Sequence, residues 1–485
     1  MELASSVQAI RFIDFTHSRE QFRYTIALVW TLSNNEVRDR LFDLAPTIVK
    51  ATGWYPLPQG ERIGSRLAKT KRDSILGSAR IPCLNVDGRL QGISSAVQVD
   101  GGCSIRIRLS EASLLFDSGL PRCLQADPSD RAIFVSHLHS DHMGGVEAGG
   151  MGDIHVVLPR RTAHILLAQR RLRYSDIGSR THLISPEDGW QRIGQMLDIM
   201  AFQVPHAPGS VGYAIRDPNA GVVFTGDIVI RTARHDFLPQ LERVVRLVER
   251  QDTTILIDAT MASRKAGASA ANAAKALLAE LEQVGELAVI SRDSEQLLYA
   301  YLDLFHVCRE SCRHRHQVDF LLTPSLKPLF AVIHAAFIGR ELGALDPLLA
   351  AQYGASMSAW AESRFLYWLD RQAVLPRQDD RKRVWFLTPG ELEEFALPAT
   401  ALIALVGKVT SADSQGREVI AVDTSPWTLH SDSDSLRSAA DALSEHARVV
   451  LFHDFPKRLR RFAHTLGPSV HVLTRDEIPV RINAV

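Results

Sequence analysis

The sequence predicts a mixed α/β protein of more than one folding unit, and three observations carry that reading. The 485 residues exceed what a single hydrophobic core organises, while a 46% hydrophobic content leaves ample material to bury. From about residue 92, apolar β-type runs alternate with turns; from about 236, long helical patterns alternate with single strands. Near 400 the short strands return, so a β-rich region is split by an α/β one.

Residues 1–90 stand apart. Stretch 22–30 is apolar, and 61–80 carries Arg62, Arg66, Lys69, Lys71, Arg72 and Arg80 against Glu61 and Asp73. A solvated helix–loop linker fits that composition, as does an extension that binds nucleic acid, a protein partner or a second copy. The β-rich region follows, with strands expected at 104–109, 112–116, 132–136, 154–158, 196–204, 211–215 and 222–224 and a helix at 161–171. Then helices are expected at 238–249, 269–284 and 295–308, each followed by a strand, at 254–258, 287–291 and 318–322. Strands at 401–406, 418–421 and 449–452 close the chain around a helix at 435–446.

Charge excludes one simple explanation of function. Lysine plus arginine (55) balances aspartate plus glutamate (55), so any attraction to nucleic acid must come from local patches. Five cysteines are too few for a disulfide framework, and no cationic segment leads into an apolar run at the N-terminus. The apolar stretch 329–338 is broken by His334 and too short to span a bilayer. A cytoplasmic protein without membrane segments is the expectation.

Chemistry concentrates in His137-Leu138-His139-Ser140-Asp141-His142, after the apolar run 132–136. On an extended segment His137 and His139 share one side, and a tight turn then aims Asp141 and His142 at a neighbouring point. Burying three imidazoles and a carboxylate unpaired is costly, and a metal removes that cost. His206 lies in a rigid Pro-His-Ala-Pro-Gly loop, and Asp227 follows Phe224-Thr225-Gly226 at a strand end, where a carboxylate can bridge two cations. Alone, each reads as a loop histidine or a helix cap. Asp117 ends the run 112–116 and reads as a residue that orients a ligand histidine.

In this order, Asp117, the His-x-His-x-Asp-His block, His206 and Asp227 resemble the metallo-β-lactamase superfamily signature. The resemblance implies an αββα sandwich with metals at one sheet edge. Downstream, Asp258 ends a strand, His430 sits in Leu-His-Ser-Asp and His453 in Val-Val-Leu-Phe-His-Asp-Phe. These resemble the three extra motifs of the β-CASP nucleases, in which an α/β domain is inserted into the lactamase fold. His453 is followed by Asp454 and Phe455 where that branch usually has Gly-Glu, which marks a distant member. The implied organisation is an N-terminal extension (1–90), the first part of the core (91–245), the insert (246–400) and the C-terminal part of the core (401–485).

Carried over residue by residue, the resemblance gives one cation His137, His139 and His206, and the other Asp141, His142 and His453, with Asp227 shared. Two zinc ions are expected, with manganese as the alternative because two carboxylates serve the second position. Asp141 belongs to the catalytic set, His430 would be the general acid for the leaving oxygen, and Asp258 would hold its tautomer. Arg292, Lys327, Arg458 and Arg461 are the candidate phosphate contacts. The expected function is a two-metal nuclease, with RNA slightly favoured because the third extra motif is a histidine. A DNA nuclease in repair or phage defence is the close alternative, and a small-molecule metallohydrolase a further one.

Overall fold

Two seven-stranded sheets face each other across a shared apolar layer. In this computed structural model the described residues run from Val86 to Pro479, apart from 96–102, 120–128, 148–153, 173–179, 265–268, 311–317, 339–341, 354–365, 369–380, 474–477 and scattered shorter gaps. The basic stretch 61–80 and the rest of 1–85 lie outside them.

The first sheet runs, in spatial order, Ile478–Pro479, Leu90–Ser95, Ile105–Leu109, Ser113–Phe116, Asp130–Phe134, His155–Pro159 and Thr181–Ile184. The second runs Val470–Val472, Arg448–Phe452, Asp252–Asp258, Ala220–Phe224, Val211–Arg216, Leu197–Gln203 and Gln191–Ile193. Strands such as Ser113–Phe116 and Ala220–Phe224 are buried along their whole length, which is why they read as apolar runs rather than alternations. Between the sheets, Phe116, Phe134, Tyr213 and Phe224 pack with ring centroids 5.3–5.6 Å apart. Each such aromatic pair adds about 0.5–1.5 kcal/mol to area burial.

Helices cover both outer faces, completing an αββα sandwich. Leu238–Val248, Ser433–Leu443 and Pro456–Leu466 bury Leu241, Val245, Leu436, Leu443 and Leu459 against the second sheet. Arg160–Ala168 buries Ile165 and Leu166 against Leu115, Ile133 and Leu158 of the first.

A third sheet of five strands is parallel throughout, in the order Leu366–Trp368, Val318–Leu322, Lys382–Leu387, Glu286–Ile290 and Leu402–Leu405. Its helices Ala270–Val284, Ser294–Glu310 and Lys327–Ile338 share one apolar cluster with the helix Arg160–Ala168. The third sheet is thus docked on the helical face of the first.

Three details depart from the sequence expectation. Strand Asp252–Asp258, placed with the insert by a boundary at 246, belongs to the second sheet, where it pairs in parallel with Ala220–Phe224 and Arg448–Phe452. Leu402–Leu405, placed in the C-terminal part, pairs instead with Glu286–Ile290 of the third sheet. The strand expected at 418–421 is reduced to one bridge between Val419 and Ile403.

Candidate metal centre

The carboxyl ends of the parallel strands meet at one edge of the sandwich, and the chain leaves them through the site. Asp117 follows Phe116, His137 lies just beyond Phe134, Asp227 beyond Phe224, and His453 follows Phe452; Asp258 is itself a strand end. Asp117, Leu429 and His453 have φ of 62°, 59° and 70°, and among the described residues no other non-glycine is left-handed. Such strain persists where surrounding structure fixes the backbone, and it clusters at functional sites.

The His-x-His-x-Asp-His block is not an extended segment with a tight turn. Residues 137–139 bend, and the helix Ser140–Glu147 begins at once. The amides of His142 and Met143 both donate to the His139 carbonyl, at 3.0 Å, which closes that first turn. Asp141 and His142 therefore reach the site from a helix N-terminus.

Each of these imidazoles turns one nitrogen to a neighbouring group outside the cluster and the other inward. His206 Nδ1 donates to the Leu429 carbonyl at 2.7 Å, His142 Nδ1 lies 2.7 Å from Asp117 Oδ2, and His137 Nδ1 lies 2.8 Å from Ser136 Oγ. His139 is reversed: its Nδ1 lies 3.0 Å from His137 Nε2 and 3.2 Å from His206 Nε2, while its Nε2 is 3.5 Å from Glu295 Oε2. Asp117 also accepts from the amide and the hydroxyl of Ser136, so one carboxylate supports both His142 and the His137 loop.

Asp227 lies at the centre. Its Oδ2 is 3.2 Å from His142 Nε2, 3.6 Å from His206 Nε2, 3.7 Å from His430 Nε2 and 3.9 Å from His137 Nε2. Its Oδ1 is 2.8 Å from His453 Nδ1. Burial pushes this carboxyl up, but His142, His453 and His430 outweigh that and hold it well below the usual carboxylate range. Burial, with neighbouring imidazoles adding to it, pushes His137 far down and His206 down to about 3, leaving both neutral as metal ligation requires.

His430 arrives from far along the chain. Its Nδ1 is 2.7 Å from Asp258 Oδ2, and its side chain is only 8% exposed, so it is not a surface histidine beside a helix cap. Ser431 staples the segment in place, donating to the Ile228 carbonyl and accepting from the Ile230 amide. Asp258 Oδ1 accepts from Thr260 N and Oγ1. Burial pushes the Asp258 carboxyl up, but His430 outweighs it, so the carboxyl sits below its ordinary range. His453 Nε2 is 3.7 Å from Asp141 Oδ2, and its ring is 4.8 Å from that of His142.

The donor set fits metal ions. Ligand atoms of His137, His139, His206 and Asp227 lie within 4.8 Å of one another, as do those of Cys103, His142 and His453, and those of Asp227, Asp258 and His430. His142 Nε2 is buried without a hydrogen-bond partner and lies 3.2 Å from the Asp227 carboxylate. Buried polar atoms rarely stay orphaned, and a cation is what imidazole nitrogens and a carboxylate oxygen can share.

A family comparison matches this geometry. Residues 127–241, which contain the His-x-His-x-Asp-His block, His206 and Asp227, match the family described as metallo-beta-lactamase superfamily. The chain carries a metallo-β-lactamase domain. It is also 25% identical over 134 residues to Ribonuclease J of Mycoplasma genitalium, a match covering 27% of this chain and 23% of that relative. A solved structure from Enterococcus faecalis, of a protein of unknown function, superposes with a TM-score of 0.50 at 13% identity, covering 80% of this chain and 100% of that one. That likeness concerns the fold alone.

The metallo-β-lactamase edge opens on a cleft of about 430 Å³, lined by His139, Ser140 and Arg171 on one side and by Arg292, Glu295 and Thr388 on the other. Of the expected phosphate contacts, Arg292 lines it, whereas Arg458 and Arg461 do not. Both are exposed on the helix Pro456–Leu466, with Arg458 stacked over the Phe455 ring and 3.7 Å from Asp454. Lys327 opens the helix Lys327–Ile338, and its side chain is outside the described residues. The basic run Arg381, Lys382 and Arg383 is paired with Asp319, Glu282 and Glu286.

Cys103, Glu295 and Thr260 were not legible as site residues. Glu295 is buried although it opens a helix, and a carboxylate in a first helical turn is ordinarily read as a dipole partner.

Proposed function

We propose that this chain is a metal-dependent nuclease of the β-CASP branch, hydrolysing nucleic-acid phosphodiesters with a preference for RNA. The observation that carries this is the His430–Asp258 pair set against the Asp227 cluster, because a small-molecule metallohydrolase of this fold needs neither residue. The 134-residue likeness to Ribonuclease J supports the same branch.

In this reading His137, His139 and His206 hold one cation, Asp141, His142 and His453 the other, and Asp227 lies between them. Zinc suits the imidazole-rich set. A bound cation pair supplies a water-derived nucleophile near neutral pH and positive charge for the phosphoryl oxygens. His430, with Nδ1 fixed by Asp258, presents Nε2 to the site and gives a proton to the leaving oxygen. Asp117 keeps the His142 ring aligned. Arg292 lines the cleft and would give a phosphate backbone a cationic contact there, whereas the Arg171 guanidinium is held by Glu147 and the Leu138 carbonyl.

Incubation with 5′- and 3′-labelled single- and double-stranded RNA and DNA, comparing wild type with Asp141→Ala, tests the reading. Cleavage of RNA by wild type alone is the expected result. Cleavage of DNA alone would reverse the substrate preference. Inactivity on every polymer, with hydrolysis of a chromogenic phosphodiester that survives His430→Ala, would replace the nuclease by a small-molecule hydrolase.

A further inference from the structure

We propose that Cys103 is a thiolate ligand at the second cation position, beside His142 and His453, and that it biases this position toward zinc. The inference rests on the metal-dependent reading above and goes beyond it, since no resemblance assigns a cysteine there.

Backbone bonds place the residue. Cys103 precedes the strand Ile105–Leu109, its amide donates to the Asp141 carbonyl at 2.6 Å, and its carbonyl accepts from the Gly119 amide at 3.2 Å. It is thereby tied to the segment bearing Asp141 and His142 and to the loop that follows Asp117. Its sulfur and the ligand nitrogens of His142 and His453 lie within 4.8 Å of one another. Tetrahedral ligands held about 2.0–2.3 Å from zinc sit roughly 3.3–3.8 Å apart, so closure shortens these separations by no more than about 1.5 Å.

A buried cysteine is more often a small apolar side chain than a ligand. Cys308 illustrates that ordinary case: it lies on a helix among apolar side chains, and burial pushes its thiol up to about 12. Cys103 differs in what faces it. The buried His142 Nε2 has no hydrogen-bond partner, and the Asp227 carboxylate lies 3.2 Å beyond it. On binding, the thiol proton leaves to solvent as the metal–sulfur bond forms. A soft thiolate favours zinc over manganese, whereas Asp141 alone would tolerate either.

Cobalt(II) loaded into the full chain reports the ligand directly. The wild type should show visible ligand-field bands and a near-ultraviolet thiolate-to-cobalt band; Cys103→Ser should keep the first and lose the second. The same variant should reduce the preference for zinc over manganese by about tenfold or more in a chelator competition. If Cys103→Ser does not fold, a chain with Cys83, Cys123, Cys308 and Cys312 all changed to Ser must retain the near-ultraviolet band. Visible bands without the charge-transfer band in wild type, or a charge-transfer band that survives Cys103→Ser, overturns the proposal and leaves the metal centre standing. Failure of the wild type to bind cobalt at all overturns both.

Discussion

His430 Nδ1 and Asp258 Oδ2 are 2.7 Å apart although 172 residues separate them, and that contact joins the end of one strand to the loop that closes the site. If His430 is the general acid, His430→Ala should lower kcat by about 10²–10⁴-fold while bound metal stays at the wild-type level. Asp258→Asn, which removes the charge that fixes the tautomer, should fall in the same direction. Metal analysis on the purified variants separates this from ligand loss: a drop in stoichiometry with His430→Ala would make His430 a ligand.

Asp117 supports His142 and Ser136 from a left-handed backbone that asparagine also tolerates. Asp117→Asn should therefore fold and yet bind metal about 10–100-fold more weakly. Titration against a chromogenic chelator measures it, and an unchanged affinity would remove Asp117 from the centre.

Gly119 has no room for a methyl group, since a Cβ there would lie 1.7 Å from the Asp141 carbonyl oxygen. Nothing in that contact is a flexible side chain. Gly119→Ala should displace the Asp141 segment and cost on the order of 1–3 kcal/mol in stability together with metal affinity. Gly390, with nothing within 4 Å of its Cβ position, is the control: Gly390→Ala should change stability by less than about 0.5 kcal/mol in urea unfolding.

Asp346 gives a pH dependence outside the centre. Burial raises its carboxyl to about 6, against the hydrogen bonds from Tyr299 and the Leu348 and Leu349 amides that pull it down. The folded state therefore holds this proton more tightly than the unfolded state. The associated stability is fully present below the unfolded pKa near 4 and is lost as pH rises through about 6. A shift of roughly two units corresponds to about 3 kcal/mol. Urea unfolding at pH 4 and pH 7 should show this decline in wild type, and Asp346→Asn should flatten it.

Local order was readable wherever neighbouring residues alone decide it. The strand Val318–Leu322 falls where the apolar run placed it, and the helix Ala270–Val284 lies within one residue of its expected start, because propensity, the Ser269 cap and the αL Gly285 agree there. The bend at 137–139 was not readable, since it depends on the helix that starts one residue later. Strand membership was harder still. Asp252–Asp258 has the apolar pattern of any buried parallel strand, and only its pairing with Ala220–Phe224 and Arg448–Phe452 assigns it to the second sheet.

By itself the sequence determined that three histidines and an aspartate occupy six consecutive positions, and that His206, Asp227, Asp258 and His453 each lie at or just beyond an apolar run. Tertiary structure alone decided that these ends share one edge, that Glu295 reaches His139 from the helix Ser294–Glu310, and that Cys103 stands beside His142. The reason is physical. Periodicity records which face of an element is buried, whereas strand order in a sheet depends on pairings between distant segments, such as Asp252–Asp258 with Arg448–Phe452, whose closure leaves no local trace.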